Sequence, residues 1–282
     1  MIIGISGKIG SGKDTVGKII QYLTDALIWE NSKQLISFDD YLGNQMEVTP
    51  YVSKWQIKKY AYKLKQIASL ILGIPVEDLE KEEVKNRALG EEWTRYGYAN
   101  GFWSHSDNDP LHKMMDSVPC SKEKYIEERI TNWQTAYKRE YTVRSFLQQL
   151  GTEAIRNHIH INAWVNALFA DYKYIAIKQI DNLDNGEIYP NWIITDVRFP
   201  NELEAVKEKD GITIRVNRDE ICSLCNGVGC THCFNGKVQN QSNHLSETAL
   251  DNAEFDYTIE NNGTIEELVV KVKEILKEEK II

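Results

Sequence analysis

A chain of 282 residues is long enough to bury a full core, as one large domain or as one domain with insertions. Hydrophobic content of 42% and charged content of 27% are ordinary for a soluble globular protein, and no apolar run reaches the ~18 residues that a membrane helix needs. The net charge of −9 argues against a protein that coats nucleic acid, although a small basic pocket remains compatible with it.

The two ends of the chain read as α/β and the middle as helical. Residues 2–6 (IIGIS) form an apolar strand, followed by a glycine-rich loop and an amphipathic run from Thr15 to about Trp29. Because MIIGISG already reads as a buried strand with no basic region before it, no cleaved leader is expected, and the cytoplasm is the expected location. A second strand is expected at 33–38 (KQLISF), ending at Asp39 and Asp40. From about Tyr51 to Tyr141, helical stretches such as KKYAYKLKQIASLILG alternate with polar, aromatic-rich segments, and no clean buried strand is expected. Lys54, Lys58, Lys59, Lys63 and Lys65 form a basic helical stretch, which reads as a solvated face or as an attractor for an anionic acceptor. Trp93, Trp103 and Trp133 are expected to pack this part. Residues 142–170 read as helices, and strands are expected around 173–179, 191–195, 212–216 and 256–260, with 180–190 an exposed loop. A last helix starts near Thr264, with Glu267 at the capping-box spacing. Strands alternating with helices imply a mostly parallel sheet covered on both faces.

The strongest motif is Gly7-Lys8-Ile9-Gly10-Ser11-Gly12-Lys13-Asp14-Thr15, placed directly after a strand and opening a helix. Glycines let the backbone wrap phosphate oxygens with inward N–H groups, and the helix N-terminus adds positive charge. Lys13 would bridge the β- and γ-phosphates of ATP. Asp14 stands where Ser or Thr usually contacts Mg²⁺. A carboxylate there could reach the metal through water, face the acceptor, or simply favour the helix dipole. A second motif, NWIITDVRFPNE at 191–202, delivers Asp196 at the carboxyl end of a strand, where ligands bind in open α/β sheets. Asp196 could orient metal or acceptor, and Arg198 could hold phosphate as a bidentate fork. The plain alternative is a helix cap beside a surface ion pair.

Four of the five cysteines, Cys222, Cys225, Cys230 and Cys233, form two CxxC pairs, the usual tetrahedral Zn²⁺ pattern. Four thiolates close the coordination shell, so the expected role is structural. Arg215 and Arg218 precede this insert, and either could be a lid arginine. His244 and Glu247 flank Ser246 at the following helix start, and a cap accounts for them equally well.

The sequence resembles the bacteriophage-type deoxynucleoside monophosphate kinases. The matching segments are GKIGSGKDT, TVRSFLQQLGTE at 142–153, Trp164-Val165, TDVRFPNE at 195–202, HLSETALD at 244–251 and NNGTIEEL at 261–268. The resemblance implies a P-loop kinase-like three-layer fold in one domain, 1–282, with a helical insertion at 45–141 and the cysteine insert at 219–240. It implies transfer from ATP, with Mg²⁺, to a deoxynucleoside monophosphate, and it makes Asp14 and Thr15 normal for the family. Gly10, Ser11, Gly12, Lys13, Thr15, Asn262 and Gly263 would hold ATP. Arg144, Gln148, Gly151, Thr152, Trp164, Asp196, Arg198 and Glu202 would line the acceptor site, with Lys13, Asp14, Arg144, Asp196 and Arg198 in the chemistry. Trp164 lies in an apolar helix, so core packing competes with base stacking for it. The cysteine insert departs from the family core. Partners implied are small molecules, with no nucleic acid or membrane, and a homodimer is left open. The alternatives are another small-molecule kinase resembling dephospho-coenzyme A kinase, and a nucleotide-gated protein whose insert contacts nucleic acid. The first leaves VRSFLQQLGTE and DVRFPNE unexplained, and the acidic charge opposes the second.

Overall fold

A computed structural model describes residues 1–30, 37–44, 54–98, 118–119, 124, 136–176, 187–219 and 245–282. These fall into two compact units, Met1–Lys63 with Asn162–Ile282, and Leu64–Ile161. The chain opens with β1 (Ile2–Ser6), turns through the glycine-rich loop into α1 (Lys13–Glu30), and continues as α2 (Phe38–Asn44) and β2 (Trp55–Lys58). Helix α3 (Tyr60–Leu72) leads out of the first unit. The second unit holds α4 (Glu82–Lys85), the antiparallel strands β3 (Arg95–Tyr98), β4 (Val118–Pro119) and β5 (Ala136–Arg139), and α5 (Val143–Gln148), which runs on as a π-helical segment, Gln149–Arg156. The chain re-enters the first unit with α6 (Ala163–Phe169), the ribbon β6 (Ile175–Ala176) and β7 (Glu187–Ile188), then β8 (Asn191–Val197) and α7 (Pro200–Lys207). It ends with β9 (Ile212–Asn217), α8 (Leu245–Thr248), β10 (Tyr257–Glu260) and α9 (Ile265–Glu278).

The main sheet has the order β10-β9-β1-β8-β2, and every neighbouring pair is parallel. The reason is visible in the strands: β1 is buried at all five positions and β8 at six of seven, the continuous apolar character of strands covered on both faces. On one face Ile3, Ile5, Ile193, Ile214 and Ile259 pack with Val16, Ile19 and Ile20 of α1 and with Leu268, Val272 and Leu276 of α9. On the other, α7 packs against β1 and β9, and its Val206 lies beside Gly4. The second unit has its own core of Ala68, Ile74, Leu79 and Val143, flanked by Phe146, Leu147 and Leu150. Among the described residues no helix is long and apolar enough to cross a membrane.

Several expectations are corrected. Trp55–Lys58 is an edge strand parallel to β8, not part of a basic helix, and α3 begins only at Tyr60. Four residues are too few for periodicity to separate strand from helix, so only the open edge of β8 decides it. Strands also occur at 95–98 and 136–139, in the stretch read as helical with no clean buried strand. Phe38, Asp39 and Asp40 open a helix instead of ending a strand, and Ser37 caps it: its Oγ donates to Asp40 Oδ2 (2.6 Å) and accepts from Asp40 N (3.1 Å). Residues 31–36 of that expected strand lie outside the described residues. Of the strand expected at 173–179, Ile175–Ala176 pairs antiparallel with β7, apart from the parallel sheet, and residues 177–179 lie outside the described residues. The compact units divide the chain at 63/64 and 161/162, with β2 in the main sheet and α5 packed in the second core.

Candidate active site

Because the main sheet is parallel, the loops after all five strands leave from one edge. The glycine-rich loop follows β1, Lys59 follows β2, Arg198 follows β8, Arg218 follows β9 and Asn261 follows β10. That edge is where open α/β sheets bind ligands.

The loop is braced from within the protein. Gly12 has φ 97°, and a Cβ there would lie 2.4 Å from Asn261 Nδ2, so glycine is required on both counts. Asn261 Nδ2 donates to Ser11 O (2.8 Å). Among the described residues Ser11 Oγ is buried without a hydrogen-bond partner, a polar group that an incoming phosphate oxygen would satisfy. Lys13, 9% exposed, donates from Nζ to Lys8 O (2.8 Å). Burial, reinforced by the nearby Arg198 charge, pushes its pKa down to about 8, against the opposing pull of Glu247, Asp14 and Asp196. Asp14 is exposed, and its Oδ1 accepts from Thr195 Oγ1 (2.7 Å) and pairs with Lys59 Nζ (3.0 Å). Partial burial raises its pKa, but the Thr195 hydrogen bond and Lys59 outweigh that and hold it below the usual carboxylate range. Thr15 is half-buried in the first turn of α1.

At the end of β8, Asp196 is 8% exposed and accepts from Tyr60 N (2.8 Å) and Ala61 N (2.9 Å), the first N–H groups of α3. Burial raises its pKa against those two donors. Glu202 is buried and accepts from Arg198 N (2.8 Å) and Phe199 N (3.1 Å), which closes the start of α7. The Tyr60 hydroxyl donates to Glu202 O (3.0 Å), so α3 and α7 meet beneath the site. The guanidinium of Arg198 pairs with Glu247, whose other carboxylate oxygen accepts from Ile9 N (3.0 Å) in the loop. Arg215 donates to Ser6 Oγ (2.9 Å) and to Asp251 (3.1 Å), which also faces Lys8 at 3.4 Å. Arg218 and Gly263 are exposed, and Asn262 accepts from Asp219 N (2.8 Å).

The first unit thus gathers Gly10, Ser11, Gly12, Lys13, Asp14, Thr15, Asp196, Arg198 and Glu202. It also holds Trp164, which is 8% exposed and accounted for by burial in α6. The remaining acceptor-site candidates belong to the second unit. There Arg144 pairs with Glu82 and donates to Asn86 Oδ1 (3.2 Å), Gln148 is exposed, and Thr152 is half-buried in the π-helical segment. Gly151 is buried where a Cβ would approach Leu64 Cδ2 to 2.8 Å, a packing reason for glycine. Cys222, Cys225, Cys230 and Cys233 lie outside the described residues, as do Trp103 and Trp133. Among the described residues no group of three or more His, Cys, Asp or Glu is placed to hold a metal ion.

Thr195, Lys59 and Glu247 also surround the loop and were not singled out as site residues by sequence. Lys59 stood among five similar lysines, and Glu247 inside a matching segment that a cap explained as well. The other lysines disperse: Lys63 to Asp171 (2.8 Å), Lys65 to Glu80 (2.5 Å), and Lys58 over the Trp192 ring (5.1 Å).

A family profile described as "Deoxynucleotide monophosphate kinase" matches residues 98–272. The "Deoxynucleoside-5'-monophosphate kinase" of Escherichia phage T5 is 27% identical over 259 residues, covering 89% of this chain and 85% of the phage protein. The "Deoxynucleotide monophosphate kinase" of Enterobacteria phage T4 is 28% identical over 138 residues, 49% of this chain and 46% of the T4 protein. That of Escherichia phage RB69 is 25% identical over 137 residues, with the same coverage. With a braced glycine-rich loop at one edge of a parallel sheet and a family match over more than half its length, this chain belongs to the deoxynucleotide monophosphate kinase family.

Proposed function

We infer that this chain is a phosphotransferase that moves the γ-phosphoryl group of ATP onto deoxynucleoside 5′-monophosphates, yielding the diphosphates and ADP. The observation that carries it is the phosphate loop, with buried Lys13 and the orphaned Ser11 hydroxyl, in a chain of this family. An oxygen of the acceptor 5′-phosphate attacks the γ-phosphorus while the bond to the β–γ bridging oxygen breaks, and the protein's part is positioning and charge. Loop N–H groups and Lys13 take the β- and γ-oxygens, and Arg198 offsets charge on the transferring group. An exposed Asp14 with its contacts on Oδ1 and a half-buried Thr15 fit a Mg²⁺ that stays largely phosphate- and water-bound. When bound with ATP, that ion would neutralise charge between the phosphates. Asn262 and Gly263 would border the adenine. The acceptor-site residues proposed from the resemblance are Arg144, Gln148, Gly151, Thr152, Trp164, Asp196, Arg198 and Glu202; within the first unit, Asp196 fixes the start of α3 and Glu202 that of α7. In this reading the chain is one P-loop kinase domain with two insertions.

The four cysteines would hold a structural Zn²⁺, a proposal that rests on their CxxC spacing alone. The deciding assay is coupled ADP release with ATP, Mg²⁺ and each deoxynucleoside monophosphate in turn. Turnover with one or more is expected, and reveals base preference at once. Folded protein inert toward all of them would defeat the assignment and bring dephospho-coenzyme A forward as acceptor.

A further inference from the structure

Glu247 is a charged group at this edge with no part yet in the proposed transfer. Its side chain is only 7% exposed, and its two oxygens are divided between the loop amide of Ile9 and the guanidinium of Arg198. Arg198 is in turn held at its backbone N–H by Glu202, so the residue is gripped at both ends by carboxylates of separate segments. An arginine side chain loses substantial rotamer entropy when it is immobilised. A charge-assisted bond formed within the folded chain removes that cost before substrate arrives.

We propose that Glu247 is a positioning residue for phosphoryl transfer, holding the Arg198 guanidinium against the phosphate loop through the Ile9 amide. Glu247 also raises the proton affinity of Lys13, so the same carboxylate favours both cations of the site. The 245–251 segment acts as a strap, since four residues on Asp251 holds Lys8 and Arg215 in the same way. The inference rests on the assignment of Arg198 to the transferring phosphoryl group.

The test is steady-state kinetics of the full chain, with ATP and a turned-over deoxynucleoside monophosphate, on Glu247→Gln, Glu247→Ala, Arg198→Ala and the Arg198→Ala/Glu247→Ala pair. Glu247→Gln keeps an oxygen for Ile9 but loses the charge facing Arg198. It is expected to lower kcat about 10-fold while the KM for ATP moves less than about 3-fold. In the Arg198→Ala background, Glu247→Ala is expected to add no further loss. If Glu247→Ala does not fold, Glu247→Asp carries the test: it retains the charge and should recover more kcat than Gln. A tighter ATP KM with unchanged kcat would make Glu247 only a competing anion and overturn the proposal. Additive losses in the double variant would overturn it too. Wild-type kcat in Arg198→Ala would remove the underlying assignment of Arg198, whereas an impaired Arg198→Ala beside a wild-type Glu247→Gln defeats this inference alone.

Discussion

Folding takes the ammonium of Lys13 out of water and ends it on a carbonyl oxygen instead of a carboxylate. The pKa of about 8 that results puts its charge within reach of ordinary pH. Below that value Lys13 is protonated and, in the proposed mechanism, would bind the ATP phosphates. Above it the free enzyme loses the cation, so kcat/KM for ATP should fall as pH rises through about 8. Lys13→Arg should remove that limb, since guanidinium stays charged. The stability effect has the opposite sign. Between about 8 and 10.5 the unfolded chain binds more protons at this site, so the cost of burying the charge is fully present below 8 and relieved as pH rises. Lys13→Ala should abolish turnover with an unchanged thermal transition midpoint or a raised one. Retained turnover would remove the loop from the mechanism.

Among the elements, α3 and α9 show how far a cap can be read. Thr264 accepts from Glu267 N at the start of α9 (3.4 Å), a contact within four residues that the spacing alone announces. Thr264→Ala should lower stability by about 1 kcal/mol in chemical denaturation. The cap of α3 is Asp196, 136 residues away from Tyr60, and no local pattern links them. Asp196→Ala leaves the buried Tyr60 N–H and the half-buried Ala61 N–H without this acceptor and should cost about 2–4 kcal/mol. Asp196→Asn, with one acceptor oxygen, should recover part of that. A stability loss in Asp196→Ala no larger than in Thr264→Ala would show that water replaces the carboxylate. The edge strand β2 belongs with Asp196: its chemistry, WQIK, is legible only beside β8.

For the whole molecule, the alternation of strands with helices made a parallel sheet legible, and the continuous apolar runs of β1 and β8 placed it at the centre. In the polar, aromatic middle, β3 and β5 pair with each other and carry no apolar run for a pattern to detect. The cysteine insert is a feature of the whole chain in another sense. Metal analysis of the purified protein should find about one zinc per chain, lost in Cys222→Ser/Cys225→Ser with a lower unfolding midpoint. A metal-free chain with the same midpoint would end that proposal.

The sequence by itself determined the glycine-rich loop between β1 and α1, the Thr264 cap of α9, and the family. Each of these depends on groups adjacent along the chain, where spacing is geometry. Tertiary structure alone decided that Asp196 caps α3, that Lys59 faces Asp14, and that Asn261 and Glu247 hold the loop across 250 and 238 residues. Those contacts follow from strand order, which brings five loops to one edge of the sheet and which no local pattern encodes.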